Sequence, residues 1–381
     1  MRIHWRRVSV MILVGVTLSF LDPSAASAGD GVRDPLDRPA MISKMAEKGL
    51  LLSVTSAGKR LVAVGERGHI LISDDNGDSW RQVPAPVSVT LTAVRFPTPL
   101  KGWALGHSGV VLHSDDGGDT WVKQLDGLQA AQLAVDALKA KAVSEQDRKT
   151  PGLESKIAYA EQMLQDGTDK PFLGLYFHDE QTGFVVGAYN LIFRTEDGGR
   201  TWQPWLDHME NPGGLHLYGI EAVGRELCIA GEQGLFLRSE DGGRNFKAVT
   251  SPYEGSFFGL LPLRGNKLIV YGLRGNLFRS LDYGNTWDKI DAGVSASITA
   301  AASLRDGLLV LTTQSADVLL SRDQGQTFQR LPVKDPFPFT GIAQAANGNI
   351  VLVGVSGVKV ISCPLKIANA AKIQDGDPHE I

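Results

Sequence analysis

A chain of 381 residues, 43% hydrophobic and 21% charged, is long enough to bury a large core and too apolar to be mainly disordered. Its formal net charge of −4 gives no bulk electrostatic attraction to nucleic acid. The 43 glycines exceed the usual level of about 7%, yet they follow no three-residue period; this excludes collagen and points to many short strands joined by tight turns.

In chain order, the first segment reads as an address. Arg2, Arg6 and Arg7 form a basic start, residues 8–21 an apolar stretch too short to span a bilayer comfortably, and Ala26-Ser27-Ala28 a small-residue cleavage site. Residues 1–28 are expected to be a signal peptide and the remainder an exported, periplasmic chain.

Residues 29–363 form one repeating array. The segment Ser73-Asp74-Asp75-Asn76-Gly77-Asp78-Ser79-Trp80 returns around Asp116, Asp197, Asp241, Asp282 and Asp323, at intervals of about forty residues with one interval doubled. Each copy closes a unit of strand A, strand B, a glycine-bounded turn, strand C, the aspartate segment and strand D. In the second unit the strands are expected at residues 91–96, 102–106, 110–114 and 120–124. The B–C turns recur at Gly65-Glu66-Arg67-Gly68, Gly106-His107-Ser108-Gly109, Gly187-Ala188-Tyr189-Asn190, Gly231-Glu232-Gln233-Gly234 and Gly272-Leu273-Arg274-Gly275. The sixth unit departs with Thr312-Thr313-Gln314-Ser315, and a seventh turn, Gly354-Val355-Ser356-Gly357, has no aspartate segment after it.

Seven such units predict an all-β fold, a seven-bladed β-propeller of four-stranded blades. The last blade runs out before its strand D, which residues 36–45 are expected to supply, closing the ring. Residues 127–170 break the pattern. Leu128, Ala131, Leu133, Val135 and Leu138, then Ile157, Ala160 and Leu164, predict a helical hairpin inserted between blades 2 and 3, with Thr150-Pro151-Gly152 between its helices. Residues 364–381 read as a polar tail. Cys228 and Cys363 fall in blades three apart, too distant to bridge, so both are expected as unpaired thiols.

The aspartate segments resemble the Asp-box, or BNR, repeat. The aspartate can accept hydrogen bonds from backbone N–H groups of the turn, the glycine can take positive φ, and the aromatic residue offers a large apolar face to the core. Asp75, Asp116, Asp197, Asp241, Asp282 and Asp323 are therefore expected to be structural. A calcium loop is excluded by Ser79 and Ala85, which stand where such a loop needs glycine and glutamate. The ring of boxes behind a signal peptide, together with Leu61-Val62-Ala63-Val64-Gly65-Glu66-Arg67-Gly68-His69, Gly102-Trp103-Ala104-Leu105-Gly106-His107 and Ser251-Pro252-Tyr253-Glu254-Gly255-Ser256-Phe257-Phe258-Gly259, resembles the photosystem II stability and assembly factor family, in its bacterial branch outside photosynthesis. The resemblance covers roughly residues 40–363 and implies a non-catalytic, cofactor-free scaffold for a membrane-protein complex or its assembling subunits.

In a propeller the B–C turns and D–A connections share one face and the boxes lie on the other. The partner face is therefore expected to carry Arg67, His107, Tyr189, Asn190, Glu232, Gln233 and Arg274 from the turns, and His216, Tyr253 and Glu254 from the connections. A sialidase-like glycosidase would use Arg67 and Arg274 on a carboxylate and Tyr253 with Glu254 as nucleophile and base. Against it stand the adjacency of Tyr253 and Glu254 and the blade count. A lectin-like glycan binder would stack sugars on Trp103, Trp205 and Tyr253. Scattered histidines and the absence of paired-cysteine spacing argue against a metal, and no phosphate-loop or dinucleotide fingerprint survives inspection. A monomer without nucleic-acid partners is expected, with a small carboxylate or glycan as the remaining ligand class.

Overall fold

The computed structural model describes residues 33–143, 152–167 and 169–363; the expected signal peptide and polar tail lie outside them. Seven antiparallel sheets follow one another in chain order, with sequential strand order inside each. Blade 1 runs Leu51–Ala57, Arg60–Gly65, Ile70–Ser73 and Arg81–Val83. Blade 2 runs Leu91–Arg95, Gly102–Gly106, Val111–Ser114 and Val122–Leu125, within two residues of the sequence expectation. Six blades have four strands. The seventh has three among the described residues: Phe339–Gln344, Ile350–Gly354 and Gly357–Ile361.

The glycine that opens each B–C turn is fixed by a close backbone approach. A β-carbon on Gly65 would sit 2.1 Å from the Leu50 carbonyl oxygen, and one on Gly106 2.1 Å from that of Thr90. Those carbonyls accept the N–H of the following residue, Glu66 or His107, which ties the turn to the start of strand A. The next residue then takes a left-handed conformation: φ is 55° at Arg67, 51° at Gln233 and 57° at Arg274. The sixth blade has Thr313 in place of the glycine. Its hydroxyl bonds Asp317 and accepts the N–H groups of Ser315 and Asp317.

The six box aspartates make one repeated set of bonds. In the third blade one carboxylate oxygen of Asp197 accepts the Thr195 hydroxyl and the Thr201 N–H, and the other accepts the Thr201 hydroxyl at 2.7 Å. Thr195 in turn accepts the Gly199 N–H at 2.8 Å, and Gly199 has φ 79°. Burial pushes the Asp241 carboxyl up, but the Asn245 and Ser239 hydrogen bonds outweigh it and hold the group at about 2; at Asp75, held equally low, the Ser79 hydroxyl contributes most. Stability from such a depressed group is complete above its unfolded value of about pH 4 and disappears as pH falls toward 2. We therefore expect Asp197→Ala to cost about 1–3 kcal/mol at neutral pH, because the Thr201 N–H loses its acceptor. Burial pushes the Asp197 carboxyl up, but the Thr201 and Thr195 hydrogen bonds outweigh it and hold the group below the ordinary range. The deficit relative to wild type should therefore shrink as pH falls below about 4, as read by denaturant titration at neutral and acid pH.

The ring closes differently from the sequence expectation. Residues 36–45 form no strand. Pro35 and Pro39 lack N–H donors, while Leu36 and Ala40 are buried against Ala85, Val87 and Val89 at the seam of blades 1 and 2. Hydrogen bonds Ala40 N–H to Ala85 O and Ser88 N–H to Pro35 O hold the segment there, and both the Ser43 N–H and the Met41 carbonyl bond the Gln82 side chain. Closure comes from the inner strands. The Thr340 hydroxyl donates to the Leu51 carbonyl at 2.7 Å, as Thr92 donates to Phe172 and Thr299 to Phe339 between other neighbouring blades.

Between blades 2 and 3 stand the two expected helices, α1 (Gly127–Val143) and α2 (Leu153–Asp166). The start of α1 is capped reciprocally: Asp126 accepts the Gln129 N–H, and the Gln129 side chain accepts the Asp126 N–H. The buried stripe of α1 is Ala130, Ala131, Ala134, Val135 and Leu138, so Leu128, expected inside, is instead 53% exposed. In α2, Leu153, Ala160 and Met163 are buried, with Ile157 and Leu164 partly so. Thr150 and Pro151 lie outside the described residues. Cys228 and Cys363 are buried free thiols, and burial pushes the Cys228 thiol up to about 12.

Candidate interaction face

The helical hairpin stands on the B–C side of blades 2 and 3. The Tyr159 hydroxyl reaches the Tyr189 carbonyl at 3.4 Å, while Lys141 and Lys156 converge on Asp207 at 2.8 and 2.6 Å. Burial alone would raise the Asp207 carboxyl, but the two ammonium groups hold it below the ordinary range. Asp207 belongs to the long connection from blade 3 to blade 4. That connection is anchored by Trp205, whose N–H donates to the Gly243 carbonyl at 2.8 Å and whose ring stacks on His208. Between hairpin and connection lies a cavity of about 980 Å³. Its walls are largely apolar: Ala134 and Leu138 from α1, Ala160 and Met163 from α2, and Leu206 and Met209 from the connection.

Four residues expected on this face come together at the edge of the cavity. Tyr189 and His216 have ring centroids 4.8 Å apart, and the Tyr189 N–H donates to His216 Nδ1 at 3.0 Å. The accepting Nδ1 cannot also carry a proton toward Glu232, so their 3.7 Å approach is not a charged pair. The nearer Glu232 contact is with the His216 N–H. Glu66 makes the equivalent bond to the Leu50 N–H in blade 1, which gives this glutamate position a turn-fastening role. Asn190 accepts from the Asn211 side chain at 2.7 Å, and Asn211, buried and bonded twice to Leu215, ties turn to connection.

The remaining expected residues stand apart from that cluster. Arg67 and Arg274 are exposed on the turns of blades 1 and 5, and their guanidinium groups make no hydrogen bond or ion pair among the described residues. His107, Gln233 and Glu254 are likewise exposed. Tyr253 is folded inward, 5.8 Å from both Phe257 and Phe278, with its ring so close over Gly255 that a β-carbon there would clash at 2.2 Å. This packing removes it as a free nucleophile beside Glu254. Trp103 is fully buried and stacked on Phe177, so it offers no surface to a sugar. Among the described residues, no three His, Cys, Asp or Glu side chains group as a metal site.

Sequence reasoning missed Asp207, Asn211, Tyr159 and Met163. The one signal present was the unusual length of the blade 3 to blade 4 connection. It also missed the channel's own arginine. Arg95, on the inner strand of blade 2, pairs with Glu221 of blade 4 at 2.6 Å and lies over the Tyr176 ring. Burial works against the Arg95 charge, and Glu221 more than offsets it.

The family model described as "Photosynthesis system II assembly factor YCF48" matches residues 154–287, from α2 to the box aromatic of blade 5. A curated relative, the "Photosystem II assembly lipoprotein Ycf48" of Synechococcus sp. (strain CC9902), is 36% identical over 74 residues, which span 19% of this chain and 22% of that protein. Among solved structures, "YCF48 bound to D1 peptide" aligns with TM-score 0.58 at 16% identity, covering 84% of this chain and 94% of the other. The structure of YCF48 from Cyanidioschyzon merolae aligns with TM-score 0.56 at 15% identity over 82% and 95% of the two chains. A streptogramin B lyase aligns with TM-score 0.61 at 12% identity over 84% and 96%. At these identities the structural likenesses establish the fold, which assembly factors and a lyase share. The match to the assembly-factor family model spans residues 154–287, about a third of the chain.

Proposed function

We propose that this chain is an exported, non-catalytic scaffold for the assembly or stability of a membrane-protein complex, and that it holds an acidic segment of its partner on the B–C and D–A face. The observation that carries the proposal is the charge arrangement of the ring. The channel arginine, Arg95, is already paired with Glu221, whereas Arg67 and Arg274 stand exposed on the turn face with no carboxylate partner among the described residues. Turn residues held in a left-handed conformation project such side chains from a rigid base, and arginine is favoured where one protein binds another. The family match over residues 154–287, and the bound peptide named for one structural relative, support a binding role over a catalytic one. The reading places the protein as a periplasmic monomer that needs no cofactor.

The test is the double variant Arg67→Ala, Arg274→Ala in affinity capture from solubilised membranes, run across a salt series. Melting should be unchanged, since neither side chain has a partner to lose. Capture should fall most at low ionic strength, where the wild-type attraction is least screened. Equal capture by the two proteins at every salt concentration would remove both arginines from the site.

A further inference from the structure

We propose that the outer edge of blade 7 is a docking site for a strand of another protein, an extended segment carrying an aromatic residue and, three positions later, an aliphatic one. The inference is independent of the arginine face and can fail without it. In the six complete blades strand C is covered on its outer side by strand D. In blade 7 the described residues leave Gly357–Ile361 paired on its inner side alone, with Ile350–Gly354. Burial reports the difference. Ile70–Ser73 and Val318–Ser321, the corresponding strands of blades 1 and 6, are buried throughout, whereas Val358, Lys359, Val360 and Ile361 are all partly exposed. An unpaired edge of this kind is a template for strand addition.

The complete blades show what such an edge accepts. In four of the six the box aromatic and the aliphatic residue three positions on pack beside strand C, one on each face of the blade: Trp80 with Val83, Phe246 with Val249, Trp287 with Ile290, and Phe328 with Leu331; blades 2 and 3 have Gln124 and Trp205 at the second position. Residues 364–381 do not repeat that chemistry. The blade 7 turn is one residue shorter than the others, pairing Gly354 with Gly357, so Ile361 stands at the register of Ser73. Counting on from there, Cys363 replaces the box aspartate, Leu365 the glycine, Ala368 the aromatic residue and Ala371 the aliphatic one. Cys363 is itself buried beside Leu304 and Leu308.

The approach to the edge is suited to an incoming chain. The short turn Ala46–Lys48 packs against the start of the strand, where a β-carbon on Gly357 would lie 1.9 Å from the Glu47 oxygen. The segment leading into that turn exposes Met41, Ile42 and Met45, at 74%, 59% and 62%. Lys359 on the edge and the exposed Lys44 and Lys48 outnumber the exposed Glu47 beside them, a net positive approach that favours an occupant carrying a carboxylate.

Hydrogen exchange of the amides of residues 358–361 tests the proposal on the full chain. The probe is a synthetic peptide with the sequence of residues 78–85, Asp-Ser-Trp-Arg-Gln-Val-Pro-Ala, offered up to millimolar concentration; its control has alanine in place of the tryptophan and valine. We expect outward amides to exchange freely in the chain alone and to slow by about tenfold or more with the probe but not with the control. A chain whose residues 362–371 are replaced by the sequence of residues 74–83 would supply its own fourth strand and should show that protection without peptide. Three results would overturn the proposal. One is protection already present in the dilute full chain and lost on truncation after Cys363, which would mean that the chain's own tail fills the edge. Another is protection that grows with protein concentration, which would mean a second copy does. The third is exchange unmoved by the probe and by the grafted strand alike.

Discussion

Replacing residues 128–168 with a short Gly-Ser bridge should leave the propeller folded, with near-native strand content, while capture of the proposed membrane partner falls by about tenfold or more, equivalent to about 1.4 kcal/mol. The fold should survive because strand D of blade 2 and strand A of blade 3 belong to sheets complete without the insert, and a flexible bridge adds little closure entropy. The cost is local. Lys141 and Lys156 leave Asp207, and Leu191, Leu206 and Met209 lose the wall of α1 and α2 that faces them across the cavity. A milder variant separates the arm from the connection it grips. Asp207→Asn removes the charge that both lysines share but keeps every helix, and it should loosen the mouth of the cavity with a smaller loss of capture. Capture by the bridged protein equal to wild type would make the hairpin a decoration of the ring. Circular dichroism and the same membrane capture assay decide between the two.

The repeats made the ring legible because each blade restates the same local physics. A glycine is needed wherever a β-carbon would strike the start of strand A, and an aspartate wherever a turn leaves N–H groups for it to accept. Such positions return at fixed spacing and can be read without a structure. The last blade could not be read in this way. Its missing strand seemed to call for residues 36–45, but Pro35 precedes and Pro39 interrupts that stretch, and two of its apolar side chains, Leu36 and Ala40, find burial at another seam. The cavity was also hidden, because it depends on side chains far apart in the sequence. Nothing local marks Lys141, Lys156 and Asp207 as partners, and α1 buries alanines where the eye is drawn to Leu128. Glu232 was visible as a polar turn residue, but its bond to the His216 N–H, matched by Glu66 in blade 1, emerges only from the turn geometry.

Trp103→Ala should be the most damaging single change to the ring, costing about 3–5 kcal/mol. The indole is fully buried, lies 3.7 Å from the Phe177 ring in a near-parallel stack, and meets the His113 ring at 4.6 Å. Its N–H donates to the Gln124 side chain at 3.0 Å, and the amide of Gln124 donates onward to the Gly198 carbonyl in the Asp box of blade 3. One side chain thus joins the core of blade 2 to the box of the next blade, beneath the point where α1 departs. Truncation opens a cavity at that seam and strands the Gln124 oxygen, so the two losses add. Trp103→Phe keeps much of the stack while losing the hydrogen bond, and it should cost about 1 kcal/mol or somewhat more. Denaturant midpoints of the two variants measure the separation. Because the indole has no exposed face, neither change should alter glycan binding by the folded protein. A variant that kept wild-type stability and lost affinity for a sialoside would place Trp103 in a sugar site and return the lectin reading to the front.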